Sequence, residues 1–222
     1  MYSKNRTAAI LVFLPAMLSL VIAMHHPVLS QADRQGGDGL VIGVGRIAIT
    51  SALFHSFFLF LLAAQALGLY VFAEWLGLSR MWVRAGAMFY AIATVLMFVP
   101  GAFDGFLTPL LVARCAPSLA SACLNISAAF EWAAIQALTR VALATQALGL
   151  LSWSVALGCM AGWRRSAGTV GALIAMVALA MLGSITQAIN PARLEVLIVP
   201  EAIWSMAAAV MLWKSSAFGF EK

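Results

Sequence analysis

Residues 47–73, IAITSALFHSFFLFLLAAQALGLYVFA, run from Arg46 to Glu74 without an Asp, Glu, Lys or Arg. A helix of about 20 apolar residues already crosses the hydrocarbon core of a bilayer. Hydrocarbon offers no water to a backbone amide, so such a segment satisfies its own hydrogen bonds as a helix. It is also too long and too uniformly apolar for the alternating strands of an outer-membrane barrel. Five further segments of this kind flank it, giving expected spans near 7–25, 45–72, 85–106, 128–158, 167–189 and 196–213. The expected fold is all-α, a polytopic six-transmembrane-helix bundle that uses residues 1–222 as a single transmembrane domain. Composition agrees, since 64% hydrophobic against 9% charged residues cannot clothe a water-soluble globule.

The few charges set the expected orientation. Lys4, Arg6, Arg80, Arg84, Arg164, Arg165, Lys214 and Lys222 fall on one side of the alternating path. Arg34, Arg46, Arg114 and Arg193 fall on the other, diluted by Asp33, Asp38 and Glu195. Basic residues in short connections resist translocation, so the first group is expected in the cytoplasm together with both termini. The chain reads as a multi-pass protein of the cytoplasmic (inner) membrane. Its net charge of +5 forms scattered pairs at helix ends and no basic stripe, which excludes nucleic acid as a partner. The first segment has a basic start but no small-x-small cleavage site after Met24, and it reads as helix one.

Cys115 and Cys123 both fall in the outward connection between spans three and four, where an oxidising space favours a disulfide. The sequence also echoes itself at an offset of 81. Gln65-Ala-Leu-Gly-Leu69 recurs as Gln146-Ala-Leu-Gly-Leu150, and the same register pairs Trp82 with Trp163 and Arg84 with Arg165. Read as duplication, helices 2-3 and 4-5 form a parallel repeat about an axis along the membrane normal. Apolar sequences also match by chance.

Ionisable and amide side chains at membrane depth are expensive and usually face a cavity or one another. Counting along the spans places His25, His26, His55, Asp104 and Glu131 in a belt about 9 to 16 Å toward the outer face. Arg140 and Glu201 lie nearer the midplane. This distribution predicts a polar pocket that opens outward and is closed inside by apolar packing. Arg140 needs an anion or several acceptors, and Glu201 is its expected partner. Gln136 lies one turn from Arg140, and the repeat register maps His55 onto Gln136 and Gln65 onto Gln146. Arg140, Glu201, His55, Gln136, Gln65 and Gln146 therefore form the expected ligand-binding set. The bland alternative is an interhelical ion pair that registers two helices.

His25, His26, His55, Asp104 and Glu131 also compose a nitrogen and oxygen set suited to zinc or iron. Spans three to six hold no histidine, so a four-histidine dihaem bundle is excluded, and haem is not an expected cofactor. Pro100-Gly-Ala-Phe-Asp104-Gly-Phe-Leu-Thr108-Pro109 is expected to end or unwind the third helix near the outer surface. No phosphate loop, Gly-x-Ser-x-Gly elbow, redox Cys-x-x-Cys or dinucleotide fingerprint is present, which removes nucleotide-driven transport and the best-marked hydrolases. Three functions remain. The first is binding or transport of a small amphipathic or anionic ligand through the outward pocket. The second is a membrane-embedded enzyme that uses a metal or an acid–base pair on a lipid-like substrate. The third is an accessory subunit of a larger membrane complex. The partners common to all are the lipid bilayer and, for the last, other chains or copies of this one.

Overall fold

The computed structural model describes residues 2–24, 37–114, 120–184, 189 and 191–217. In chain order these form α1 (Tyr2–Met24), α2 (Gly37–Leu76) and α3 (Met81–Ala102). A π-helical turn, Phe103–Leu107, leads into α4 (Thr108–Arg114). The chain finishes with α5 (Ala120–Gly158), α6 (Trp163–Ser184) and α7 (Pro191–Ala217). No strand occurs among the described residues. Six helical stretches are long and apolar enough to cross a membrane: Ser3–Ile22, Gly43–Leu76, Met81–Leu111, Ala129–Gly158, Trp163–Ser184 and Arg193–Ser215.

Each spanning helix packs beside the next in sequence, from α1 through α2, α3, α5 and α6 to α7, and α7 returns to α1. The result is a closed ring. Both termini lie on one face, where Asn5 Nδ2 donates to Ser215 Oγ at 3.2 Å. Among the described residues, that terminal face carries Lys4, Arg6, Arg80, Arg84, Arg164, Arg165 and Lys214 against the carboxylate of Glu74, which Lys4 pairs at 2.6 Å. Three of these cations lie over indole rings: Arg6 over Trp213 at 5.5 Å, Arg164 over Trp75 at 5.2 Å and Lys214 over Trp163 at 5.3 Å. Basic heads above amphipathic indoles are the arrangement that a membrane–water boundary favours.

The tightly packed core occupies the half of the bundle nearest the termini. It joins Ala8 and Val12 of α1, Leu69 and Phe72 of α2, Leu150 and Trp153 of α5, and Trp204 and Ala208 of α7. Trp153 and Trp204 stack at 6.3 Å with planes 7° apart, and Phe72 meets both edge-on. Each indole finds an acceptor, Trp153 Nε1 donating to Val83 O and Trp204 Nε1 to Ala167 O. Small residues permit the approach. A Cβ on Gly149 would meet Gly86 O at 3.1 Å, so α3 and α5 touch backbone to backbone. Lipid gives helices no hydrophobic reason to associate, and such close packing supplies the attraction instead. Among the described residues, the half farther from the termini holds a smaller cluster around Leu143, Ile189 and Leu197.

The segment between Pro100 and Pro109 departs from expectation, for the third helix does not end there. It widens into the π-turn and continues through α4. Thr108 supplies the reason: its backbone N–H donates to Phe103 O, five residues back. The extra residue lets the helix run on through the turn to Pro109. As to the internal echo, α2 and α5 are 40 and 39 residues long and α3 and α6 are 22 each, and these lengths are all that the structure adds to it.

Candidate functional site

Pro109 has no hydrogen to return to Asp104 O in the five-residue register of the π-turn. Ser51 Oγ of α2 donates to that carbonyl at 3.4 Å. The turn is thus drawn against α2, and Gly105 allows the approach. A Cβ there would stand 2.5 Å from His55 Cβ and 2.9 Å from His55 Cγ, closer than real atoms come.

His55 is wedged into this contact. Its Nδ1 lies 2.8 Å from Ser51 O and 3.3 Å from Ser51 Oγ, and its Nε2 lies 3.2 Å from Asp104 Oδ2. The imidazole is buried, with 6% of its side chain exposed, whereas the Asp104 side chain is 46% exposed. The imidazole is thus closed off, while the carboxylate keeps an exposed side. Glu131 of α5 completes the group. Thr108 Oγ1 donates to Glu131 Oε1 at 2.6 Å, a short charge-assisted bond, and Glu131 feels the charge of Asp104.

A second polar layer lies deeper. Gln65 Nε2 donates to Ser205 Oγ at 3.2 Å and Gln146 Nε2 to Tyr90 Oη at 3.4 Å, and Glu201 lies beside Gln146. Glu201 and Ser205 are one turn apart on α7, on the face that also buries Leu197, Trp204 and Ala208. Ten residues separate His55 from Gln65 and fifteen separate Glu131 from Gln146. The two layers are therefore about 15 to 22 Å apart along the helices. Leu59, which packs on Gly101, and Leu61, Met97 and Leu143 fall between them.

The expected ligand set does not share one centre. Gln136 spends both ends of its amide on Ile189, accepting from Ile189 N at 2.7 Å and donating to Ile189 O at 3.2 Å. It pins the backbone before α7. Arg140 is half-buried on α5, but Glu201 lies beside Gln146 and Tyr90 and does not pair with Arg140. The reason is depth, for Glu201 sits level with Gln146, about 9 Å along α5 from Arg140. The four residues paired by the echo also part company. His55 goes to Asp104 and Gln136 to Ile189, while Gln65 reaches Ser205 on α7 and Gln146 reaches Tyr90 on α3.

Of the expected metal set, His55, Asp104 and Glu131 do gather at one place. His25 and His26 lie outside the described residues, as does Cys115, and the Cys123 side chain is likewise not described. Among the described residues no group of three or more His, Cys, Asp or Glu side chains is placed to hold a metal ion. Tyr90 and Thr108 escaped the sequence reading.

Comparison with family models, with curated proteins and with solved structures finds no match to this chain.

Proposed function

We propose that this chain is a multi-pass protein of the cytoplasmic membrane that binds or passes a small amphipathic ligand at the His55–Asp104–Glu131 cluster. Its terminal face is cytoplasmic and the cluster opens outward. The observation that carries this reading is the half-exposed Asp104 carboxylate seated on a buried histidine, at the loosely packed end of a bundle whose other end is closed by the tryptophan core. The seven cations on the terminal face support the orientation. Among the described residues, two carboxylates and one imidazole make the cluster a site for a cationic head group. An anionic head would instead be received by Arg140, nine residues deeper along α5 than Glu131.

Thermal unfolding of the detergent-purified protein tests this. Hexyltrimethylammonium at saturation raises the melting temperature by several degrees, as any ligand selective for the folded state does, and hexanoate does not. Asp104→Asn removes the effect. Equal stabilisation of wild type and variant would refute the site.

A second reading, an acid–base enzyme acting on a lipid-like substrate, draws on the same pair, because Ser51 O orients His55 as a general base is oriented. Turnover of a lipid-like ester or amide that is lost in both His55→Gln and Asp104→Asn would move this reading to the front.

A further inference from the structure

Both ring nitrogens of His55 face acceptors. Nδ1 lies 2.8 Å from Ser51 O, and a carbonyl only accepts, so Nδ1 carries its hydrogen. Ser51 Oγ, 3.3 Å from the same nitrogen, turns its own hydrogen toward Asp104 O at 3.4 Å. With Nδ1 protonated, Nε2 of a neutral ring presents a lone pair. It points at Asp104 Oδ2, 3.2 Å away, which presents lone pairs of its own. Two bare acceptors do not rest on one line without a hydrogen between them. The line therefore holds a proton, written either as imidazolium with carboxylate or as imidazole with carboxylic acid. In both forms the pair is neutral.

We infer that His55 and Asp104 hold one exchangeable proton between them, and that a cation bound at Asp104 displaces it, so that the site exchanges a cation for a proton. This rests on the cation-binding reading above and adds its coupling. The balance is simple. One positive charge arrives at Oδ2, the N–H or O–H bond on the Nε2···Oδ2 line breaks, and the proton leaves to water through the exposed side of Asp104. Nδ1 keeps its hydrogen and Nε2 is left with its lone pair. A net charge at membrane depth is costly, which favours one cation at a time and disfavours holding both. The described groups that face the pair are Ser51 on its own helix, Asp104 on the π-turn, Thr108 on α4 and Glu131 on α5. Of the last three only Asp104 and Glu131 titrate, so Glu131 is the competing proton source.

The experiment titrates the full-length protein, in weakly buffered detergent near neutral pH, with hexyltrimethylammonium, which has no proton to lose. Heat reports binding and an indicator dye reports protons. The expected result is about one proton released per ammonium bound. Counted per ammonium bound, with each variant brought to its own saturation, the release persists in Glu131→Gln and is lost in His55→Gln. Heat without proton release in the wild type overturns the inference and leaves the binding reading standing. Release that disappears in Glu131→Gln but survives in His55→Gln assigns the proton to Glu131 and also overturns it. Absence of heat in the wild type overturns the binding reading and the inference together. A second measurement does not depend on the folding of a His55 variant. In ¹⁵N-histidine-labelled protein with His25→Asn and His26→Asn, ammonium moves the Nε2 resonance to that of a bare lone pair and leaves Nδ1 protonated. An Nε2 resonance unmoved at saturation refutes the exchange.

Discussion

His55 Nε2 and Asp104 Oδ2 stand 3.2 Å apart, and this contact fastens the π-turn to α2 across a glycine. The strength of the contact therefore depends on Gly105 as much as on the two polar groups. Gly105→Ala places a methyl group where His55 already stands. Overpacking of this kind costs about 1–3 kcal/mol. A lowered melting temperature together with weakened hexyltrimethylammonium binding is the expected outcome, and unchanged values of both would show that the π-turn does not need the close approach.

Thr108 should behave as the anchor of Glu131. Thr108→Val removes a bond to a charged group worth about 1.5–3 kcal/mol, and Thr108→Ser restores most of it. Denaturant titration of the three proteins in detergent reads the difference. Equal stability of the valine and serine variants would dismiss the bond.

Gln136 separates a structural role from a ligand-binding one. Gln136→Leu leaves the N–H and C=O of Ile189 without their side-chain partner, at about 1–3 kcal/mol for each group left buried and unsatisfied. The expected result is a less stable protein whose ammonium affinity is unchanged. A stable variant with lost affinity would return Gln136 to the ligand site.

The tryptophan stack closes the terminal half. Truncating Trp153, which is almost wholly buried, to alanine costs about 3–5 kcal/mol. The coupled near-ultraviolet circular dichroism of the Trp153–Trp204 pair should vanish with it. A spectrum unchanged in Trp153→Ala would mean that the two indoles do not couple.

Cys159 reports orientation, because it is exposed on the terminal face. With Cys115→Ser and Cys123→Ser in place, a membrane-permeant maleimide labels Cys159 in intact cells. An impermeant one labels it only after the membrane is opened. Labelling of intact cells by the impermeant reagent would reverse the proposed topology.

The sequence by itself determined the class, the number of spans and the face on which the cations gather. All three follow from hydropathy and charge summed along the chain, and neither quantity depends on which helix packs beside which. It also determined that His55, Asp104 and Glu131 share a level, since depth is a matter of residue count along a helix. Only the tertiary structure decided which residues at one level touch. The azimuth of each helix, set by contacts such as Gly86 with Gly149 and Gly105 with His55, turned Gln136 to Ile189 and Glu201 to Gln146. The same is true of Pro100–Pro109. Two prolines and two glycines in sequence read as a break, and only the donation of Thr108 to Phe103 O and of Ser51 to Asp104 O converts the break into a π-turn that carries the site. A hydrogen-bond partner on another helix leaves no mark in the local sequence, so an unsatisfied backbone is legible there while the group that satisfies it is not.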